Sequence, residues 1–245
     1  MTNIVIFLKR LWKNKWILRS CFSTIYFNFH YLPFNQAIKL PILLYKPTFG
    51  RLAGNVLIDS EIARGGVRMG MVKLGVNSVS LYPNSGIVFD NAGGSVVFRG
   101  SCIIGNNSAI SVGNNGYLIF GDRFIATTTL KVVCYNQIVF GEEVLVGWNN
   151  LFMDTDFHRL TKVNGGYTKG IGEIFIGNNN WIANGCKFMK NSKTPNYSVF
   201  SSSMVVKKDL SSYPEFSVFD TQKEYVIRSG YWRDPNNDRI NFSKD

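Results

Sequence analysis

Histidine and clustered cysteine are scarce in this sequence, and long apolar runs are absent. Only His30 and His158 occur, so a zinc site with three imidazole ligands cannot be built from one chain. The cysteines are isolated and lack the C-x-x-C spacing of zinc or redox sites, so we expect them to be reduced core residues. No stretch reaches the roughly 18 apolar residues of a membrane-spanning helix, and no cleavable signal peptide is evident. We therefore expect a cytoplasmic or membrane-surface protein.

Acidic residues are also absent before Asp59, whereas eight of the 27 Lys and Arg residues precede it. The remainder of the chain has 19 basic and 16 acidic residues, so most of the net charge of +11 lies in the N-terminal segment. Because the rest is nearly balanced and lacks a reading motif, nucleic acid is not an expected partner.

Residues 3–19 have the pattern of a basic amphipathic helix. Basic side chains face one way, and apolar residues recur near a helical period at Ile4, Phe7, Leu8, Leu11 and Ile17. Such a helix suits an anionic membrane surface, so we expect a peripheral membrane contact through residues 1–20. The charge could instead serve a subunit interface or solubility.

Residues 24–50 are rich in aromatic and β-branched residues and are broken by three prolines. This pattern predicts short strands and an extended cap rather than another helix. His30 lies among the aromatic residues and is expected to be a packed structural residue. We assign residues 1–54 to an N-terminal helical and extended cap segment and residues 211–245 to a short C-terminal tail.

From about residue 55 the sequence consists of short apolar segments punctuated by Gly and Asn. An apolar residue, Gly and two polar residues recur at spacings of 16, 20 and 36, starting at Ile104, Phe120, Phe140 and Ile176. This interval predicts an all-β solenoid over residues 55–210, whose stacked coils bury inward aliphatic side chains. No long loop is expected before residue 159. An antiparallel sandwich or barrel also has many short strands. Its strands, however, are longer than the apolar segments of this sequence and lack such a period.

Two motifs resemble one enzyme family. They are the D-x-D-x-H run that ends at His158 and the I-G-x-x-x-W-I run that contains Trp181. Residues 138–158 and 174–210 resemble the hexapeptide-repeat acyltransferases, in the galactoside/maltose O-acetyltransferase branch and its polysaccharide-modifying relatives. This resemblance implies a left-handed parallel β-helix, a homotrimer, acetyl-CoA as acyl donor, no metal and one catalytic histidine.

The sequence departs from the family in its last coils. The family's closing G-x-P-x-K segment is absent, and residues other than Gly stand at corner positions, namely Asn191, Pro195, Phe200 and Ser202. We therefore expect these corners to differ in geometry or to be loosened.

His158 is the candidate general base, because imidazole titrates near neutral pH and can take the proton of an attacking sugar hydroxyl. If residues 153–158 form a strand, Asp154, Asp156 and His158 share one face. Either carboxylate could then fix the imidazole tautomer. The segment could instead be a solvated strand end.

A basic segment with two glycines follows the candidate base. Residues 159–172 interrupt the repeat and contain Gly165 and Gly166. We expect this loop to cover a site between coils, with glycine supplying hinge freedom, or to be a tolerated insertion.

The resemblance also implies a donor site. The matching positions are Trp181, Ala183, Asn184, Ser201 and Lys207. Trp181 would line the pantetheine tunnel, and backbone groups near Ala183 and Asn184 would bind its amides. Lys207 would meet a CoA phosphate and Arg228 the 3′-phosphate, since ammonium and guanidinium groups bind phosphate. Each could instead be a core or surface residue.

The acceptor side differs from the family. Thr127 stands where relatives that modify small sugars place an Asn that anchors the acceptor hydroxyl. Trp148 and Asn149 are alternative acceptor contacts, since aromatic faces and amides bind sugars, although Asn149 could simply turn a corner.

These observations predict an acetyl-CoA-dependent O-acetyltransferase that acts on a sugar hydroxyl in surface polysaccharide biosynthesis. One alternative is an N-acyltransferase on an amino-sugar nucleotide. Another is a non-catalytic β-solenoid that serves as a scaffold or a glycan-binding module.

Overall fold

A computed structural model describes residues 20–59, 65–158, 160–161, 163–221, 225–229, 233–234 and 236, with the backbone alone at 225–229. The predicted amphipathic helix of residues 3–19 lies outside these residues. Neither helix in the described part has the length and apolar character that a membrane span requires.

The helices are α1 (Cys21–Tyr31) and α2 (Phe34–Ala37). The strands are β1 (Ile42–Leu44), β2 (Pro47–Leu52), β3 (Asn55–Ile58), β4 (Val72–Val76), β5 (Ile87–Asn91), β6 (Ser95–Phe98), β7 (Cys102–Gly105), β8 (Ser108–Val112), β9 (Tyr117–Phe120), β10 (Phe124–Thr128), β11 (Lys131–Cys134), β12 (Gln137–Phe140), β13 (Leu145–Trp148), β14 (Leu151–Met153), β15 (Glu173–Ile176), β16 (Trp181–Ile182), β17 (Lys187–Met189), β18 (Val199–Phe200), β19 (Val205–Val206), β20 (Ser217–Asp220) and β21 (Tyr225–Ser229).

These strands form a left-handed parallel β-helix with three sheets. Sheet A has the order β1-β4-β7-β10-β13-β16-β18-β20-β21, sheet B has β19-β17-β14-β11-β8-β5-β2, and sheet C has β15-β12-β9-β6-β3. Each coil runs from sheet A through B to C, and its strands pair in parallel with those of the next coil. The three turns of a coil are therefore named the A–B, B–C and C–A corners.

The interior is more aromatic than the expected aliphatic core. Phe98, Phe120 and Phe140 end successive strands of sheet C and stack with ring centroids 5.4 and 5.3 Å apart. All three are fully buried. Of the repeated tetrads, those at Phe120, Phe140 and Ile176 end strands of sheet C, whereas the one at Ile104 ends a strand of sheet A. The spacing of 16 residues therefore separates two tetrads that lie in different sheets, A and C.

The late coils keep left-handed corner residues, although the sequence analysis expected their corners to differ or to be loosened. Asn191 adopts the left-handed backbone conformation with φ of 68°, and so do Tyr197 and Ser203 in the same coils. Asn tolerates this conformation through its short polar side chain, and the stacked coils hold the bulkier residues in it. Phe200 is not a corner residue at all, because it lies in β18 and is fully buried.

The prediction that residues 24–50 contain no helix is wrong, because α1 covers the first coil. The Asn28 side chain accepts a hydrogen bond from the backbone N–H of Ile42 at 3.1 Å and donates to the carbonyl of Ile42 at 2.7 Å. The Thr24 hydroxyl accepts from the N–H of Leu44 at 3.1 Å. Strand β1 would otherwise leave these groups unpaired at the end of the solenoid, so tertiary contacts override the weak helical propensity.

The solenoid also extends beyond its predicted bounds. β1 and β2 lie inside the predicted cap segment yet pair with β4 and β5, and β20 lies inside the predicted tail yet pairs with β18. The expectation of no long loop before residue 159 is wrong, since segment 77–86 interrupts the first coils. Corners lie at the surface, where insertions leave the sheets intact.

The aromatic stack generates a stability prediction. Phe120→Ala should lower the free energy of unfolding by about 3–5 kcal/mol, because it removes a ring packed between two others and leaves a cavity. Tyr117→Ala, on the outer face of the same strand, should change it by less than about 0.5 kcal/mol. Denaturant unfolding of both variants at one protein concentration measures the difference. Equal effects would show that the stack does not hold the coils together.

Candidate functional site

A cavity of about 490 Å³ runs along the outer side of sheet A and its A–B corner. We call it the corner cavity. It spans three coils, and its lining consists of Gly147, Trp148, Trp181, Ala183, Asn184, Val199, Ser201 and Ser202. The structure thus brings together four of the predicted donor residues and one predicted acceptor residue, whose roles remain predictions.

Two indole rings form the apolar wall of the corner cavity. Trp148 is 37% exposed and Trp181 is 41% exposed. The rings of Trp148 and Tyr82 pack edge to face with their centroids 6.0 Å apart. The Asn149 amide donates a hydrogen bond of 2.9 Å to the Tyr82 hydroxyl. Large, partly exposed aromatic faces are suited to thioester chains and sugar rings, because both ligands have extended apolar surfaces.

The polar wall of the cavity is partly committed to the sheet ladder. The N–H of Ala183 donates to the carbonyl of Phe200 at 2.9 Å, and the N–H of Ser201 donates to Phe219 at 3.0 Å. The Ser202 hydroxyl lies 2.5 Å from the Asn184 side-chain oxygen. A ligand in this cavity therefore cannot take the N–H of Ala183 or Ser201.

Thr127 does not line the corner cavity. It is half-buried in β10, and its hydroxyl lies 3.4 Å from the carbonyl of Val146 in the next coil. Its own carbonyl accepts a hydrogen bond from the Ser78 hydroxyl. Segment 77–86 thus packs over the position where the acceptor contact was predicted.

Lys207 lies at a different corner from the other donor residues. A second cavity of about 520 Å³ at the B–C corner is lined by Lys169, Gly172, Glu173, Asn191, Lys193, Lys207, Lys208 and Asp209. We call it the lysine cavity. Within it the Lys193 ammonium lies 3.9 Å from Asp209 and 5.3 Å from the centre of the Phe175 ring. The side chain of Arg228 lies outside the described residues.

His158 is also at the B–C corner, so one chain does not place it in the corner cavity. The strand predicted for residues 153–158 is wrong, because β14 ends at Met153 and Phe157 has a left-handed backbone with φ of 57°. The imidazole is exposed. Among the described residues, none donates a hydrogen bond to it or accepts one from it.

The two aspartates near His158 have other partners. Asp154 is fully buried, and its carboxylate accepts hydrogen bonds of 2.8 Å from the N–H groups of Tyr135 and Asn136 in the preceding coil. Burial raises the pKa of Asp154, while these bonds oppose the shift. Asp156 pairs with the Lys190 ammonium at 2.5 Å. Asp154 is therefore a corner residue rather than the orienting partner of His158.

The segment after His158 is an antiparallel arm rather than an open loop. Thr155 bridges to Ile171, and Thr161 bridges to Tyr167. Gly165 and Gly166 both have φ of 87° and turn its tip, since only glycine adopts this conformation without strain. The glycines thus form the turn of the arm, and the hinge stays a prediction.

Sequence reasoning missed several residues of the site. Tyr82 lies in an interruption of the repeat, so the periodicity gave no reason to place it beside Trp148. Gly147 leaves room in the cavity, because a side chain there would meet the backbone of Ala183 at 3.1 Å, and the sequence alone does not show this contact. Val199 and Ser202 belong to the coils whose corner pattern had weakened.

The thiol nearest the cavity has a structural role. Cys186 is buried, and its Sγ donates to the carbonyl of Ser201 at 3.1 Å. Burial raises its pKa to about 11, so the reactive thiolate is scarce at neutral pH. This leaves His158 as the more exposed candidate for proton transfer.

The Asp154 corner generates a prediction about stability and pH. Asp154→Asn should lower the free energy of unfolding by at least about 1 kcal/mol at neutral pH, because an amide can accept only one of the two N–H bonds. A raised folded-state pKa means that the folded protein binds the extra proton. The free energy of unfolding of the parent, relative to that of the variant, should therefore fall as pH rises above the ordinary carboxyl pKa of about 3.9.

Denaturant unfolding of both proteins between about pH 3.5 and 7 measures this difference. A difference that stays constant or increases with pH would contradict the assignment of the buried carboxyl to the raised pKa.

Comparison with known proteins supports the fold. No protein-family model matches the chain. The crystal structure of the polySia specific acetyltransferase NeuO is similar, with a TM-score of 0.50 and 13% identity over 82% of this chain and 87% of that one. An "uncharacterized 24.8 kDa protein in cps region" of Klebsiella pneumoniae is 28% identical over 106 residues, 43% of this chain. The match spans 46% of that relative, less than half of its length. The chain therefore has the β-helix fold of a known acetyltransferase.

Proposed function

We propose that this protein is an acetyl-CoA-dependent O-acetyltransferase that acts on a sugar hydroxyl in surface polysaccharide biosynthesis. The observation that carries the proposal is the corner cavity, in which Trp148 and Trp181 face the same space across neighbouring coils. Its volume of about 490 Å³ suits a pantetheine chain and an acceptor hydroxyl. The β-helix similarity to a polySia specific acetyltransferase and the match to a cps-region protein support the substrate class.

His158 is the general base in this proposal. Its imidazole takes the proton of the sugar hydroxyl as the hydroxyl oxygen attacks the thioester carbonyl carbon of acetyl-CoA. The carbon–sulfur bond then breaks, the acetyl group stays on the sugar oxygen, and the imidazolium returns the proton to the departing thiolate. No metal or redox step is needed for this balance.

Because His158 and the corner cavity lie at different corners, the proposed site needs a second copy of the chain. We infer a homotrimer in which the B–C corner of one subunit faces the A–B corner of the next. The arm that begins beside His158 supports this contact, since it exposes apolar side chains suited to a subunit interface, namely Phe157, Leu160, Val163, Tyr167 and Ile171.

The two cavities divide the ligands in this arrangement. The corner cavity would hold the pantetheine arm against Trp181, and Trp148 with Asn149 would face the acceptor sugar. The lysine cavity would offer Lys207 to a CoA phosphate, where an ammonium acts as a point charge. Since acetyl-CoA is consumed, a cytoplasmic location follows from the same proposal.

The two histidines provide a matched test of the base. His158→Ala should lower kcat/KM by at least about 100-fold, because the hydroxyl loses its proton acceptor. His30→Ala should retain activity within about twofold, since His30 lies on α1 at the start of the solenoid, where it packs on Tyr26 and Tyr31 and lies 2.8 Å from the carbonyl of Leu52. The assay follows thiol release from acetyl-CoA with a panel of glycans, together with product mass. Undiminished turnover by His158→Ala would overturn the base assignment.

The same assay separates the alternatives. An O-acetyl ester is hydrolysed by mild alkali, whereas the amide product of an N-acyltransferase survives it. Failure of the parent protein to bind CoA in a calorimetric titration would favour a scaffold or glycan-binding module.

A further inference from the structure

The helical cap at the start of the solenoid has an apolar face that the rest of the described chain does not cover. Six large side chains on α1, α2 and the following turn are exposed: Phe22 at 87%, Ile25 at 44%, Tyr26 at 53%, Phe29 at 46%, Phe34 at 71% and Ile38 at 60%. We call this set the cap face. Soluble proteins rarely expose a contiguous apolar patch of this kind unless it binds something.

The cap face follows from the helical period. Phe22, Ile25, Tyr26 and Phe29 recur at the spacing of one helix face, whereas Thr24 and Phe27 point to the solenoid and are buried. The rings of Phe29 and Phe34 lie 6.0 Å apart and join the two helices into one surface. The helix is thus apolar on both sides, although only one side meets the core.

The sequence up to and including the cap carries charge of one sign. No acidic residue occurs before Asp59, and Lys39 is exposed directly after α2. Residues 9–19, which lead into α1, contain five Lys and Arg residues and two Trp residues. Aromatic and basic residues together are typical of proteins that bind the interface of an anionic bilayer.

We propose that the cap face docks on the surface of an anionic lipid bilayer. The apolar side chains enter the boundary between headgroups and acyl chains, and the neighbouring cations contact lipid phosphates. A second copy of the chain is a poorer partner, because the sequence before Asp59 has eight basic residues, of which Arg51 pairs with Asp90, and no acidic residue, so two such segments would repel each other. This inference does not depend on the proposed catalytic activity.

Docking through the cap leaves the candidate site accessible. In sheet A, strands β4, β7 and β10 separate β1 under the cap from β13, which bears Trp148. The protein would therefore contact the membrane through the cap beside its first coil, and the corner cavity would lie several coils away from the membrane.

Vesicle co-sedimentation of the full chain tests the proposal. The parent should bind vesicles of phosphatidylcholine with phosphatidylglycerol and bind pure phosphatidylcholine vesicles more weakly. The triple variant Phe22→Ser, Phe29→Ser and Phe34→Ser should bind the anionic vesicles at least about tenfold more weakly, because three apolar side chains are lost from the interface. The matched control, Leu57→Ser, Leu81→Ser and Tyr117→Ser, removes exposed apolar side chains elsewhere and should bind like the parent.

Three results would overturn the proposal. The parent could bind neither vesicle, as expected if residues 1–19 cover the cap face. The triple variant could bind like the parent, which would assign binding to the basic segment alone. Light scattering could show that the triple variant forms a smaller oligomer than the parent, which would make the cap face a contact between copies. Circular dichroism checks folding, and the single variant Phe22→Asp repeats the test at the most exposed position.

Discussion

The stacking of coils is the constraint on which this structure depends. A single coil is too thin to bury its inward side chains or to pair its backbone, so each coil completes its contacts on the next. The buried phenylalanine stack of sheet C does this in the interior. At the corners, polar side chains do the same for the backbone: the Asp154 carboxylate accepts two N–H bonds from the preceding coil, and the Asn180 side-chain oxygen accepts one of 2.8 Å from Ser198.

This constraint also decides where a ligand can bind. Because the interior is filled, the cavities lie outside the sheets at corners, where successive coils present side chains in rows. The corner cavity draws Trp148, Trp181 and Ser201 from three coils that are paired in register. His158 lies at a different corner, the B–C corner, where the arm begins. The proposed function therefore rests on a site that a neighbouring copy completes.

The sequence predicted the solenoid because its repeat spacing is that of stacked coils. The left-handed form was predicted from the resemblance of two motifs to the hexapeptide-repeat acyltransferases. It did not predict the helix α1, because residues 21–31 have weak helical propensity and only the contacts of Thr24 and Asn28 with the first coil make the helix favourable. Alternation misplaced Asp154 and His158 on one face, since the strand ends before them. Tyr82 lay in an interruption of the repeat, where periodicity carries no information about contacts 67 residues away.

The most direct test of the account is activity in mixed oligomers of His158→Ala and Trp181→Ala chains. If one subunit supplies His158 and the next supplies the corner cavity, equal co-expression should restore about a quarter of the parent turnover, because a quarter of the sites then receive both intact residues. Light scattering and tagged purification establish that mixed oligomers have formed. Turnover no higher than the sum of the two separate variants would contradict the shared site.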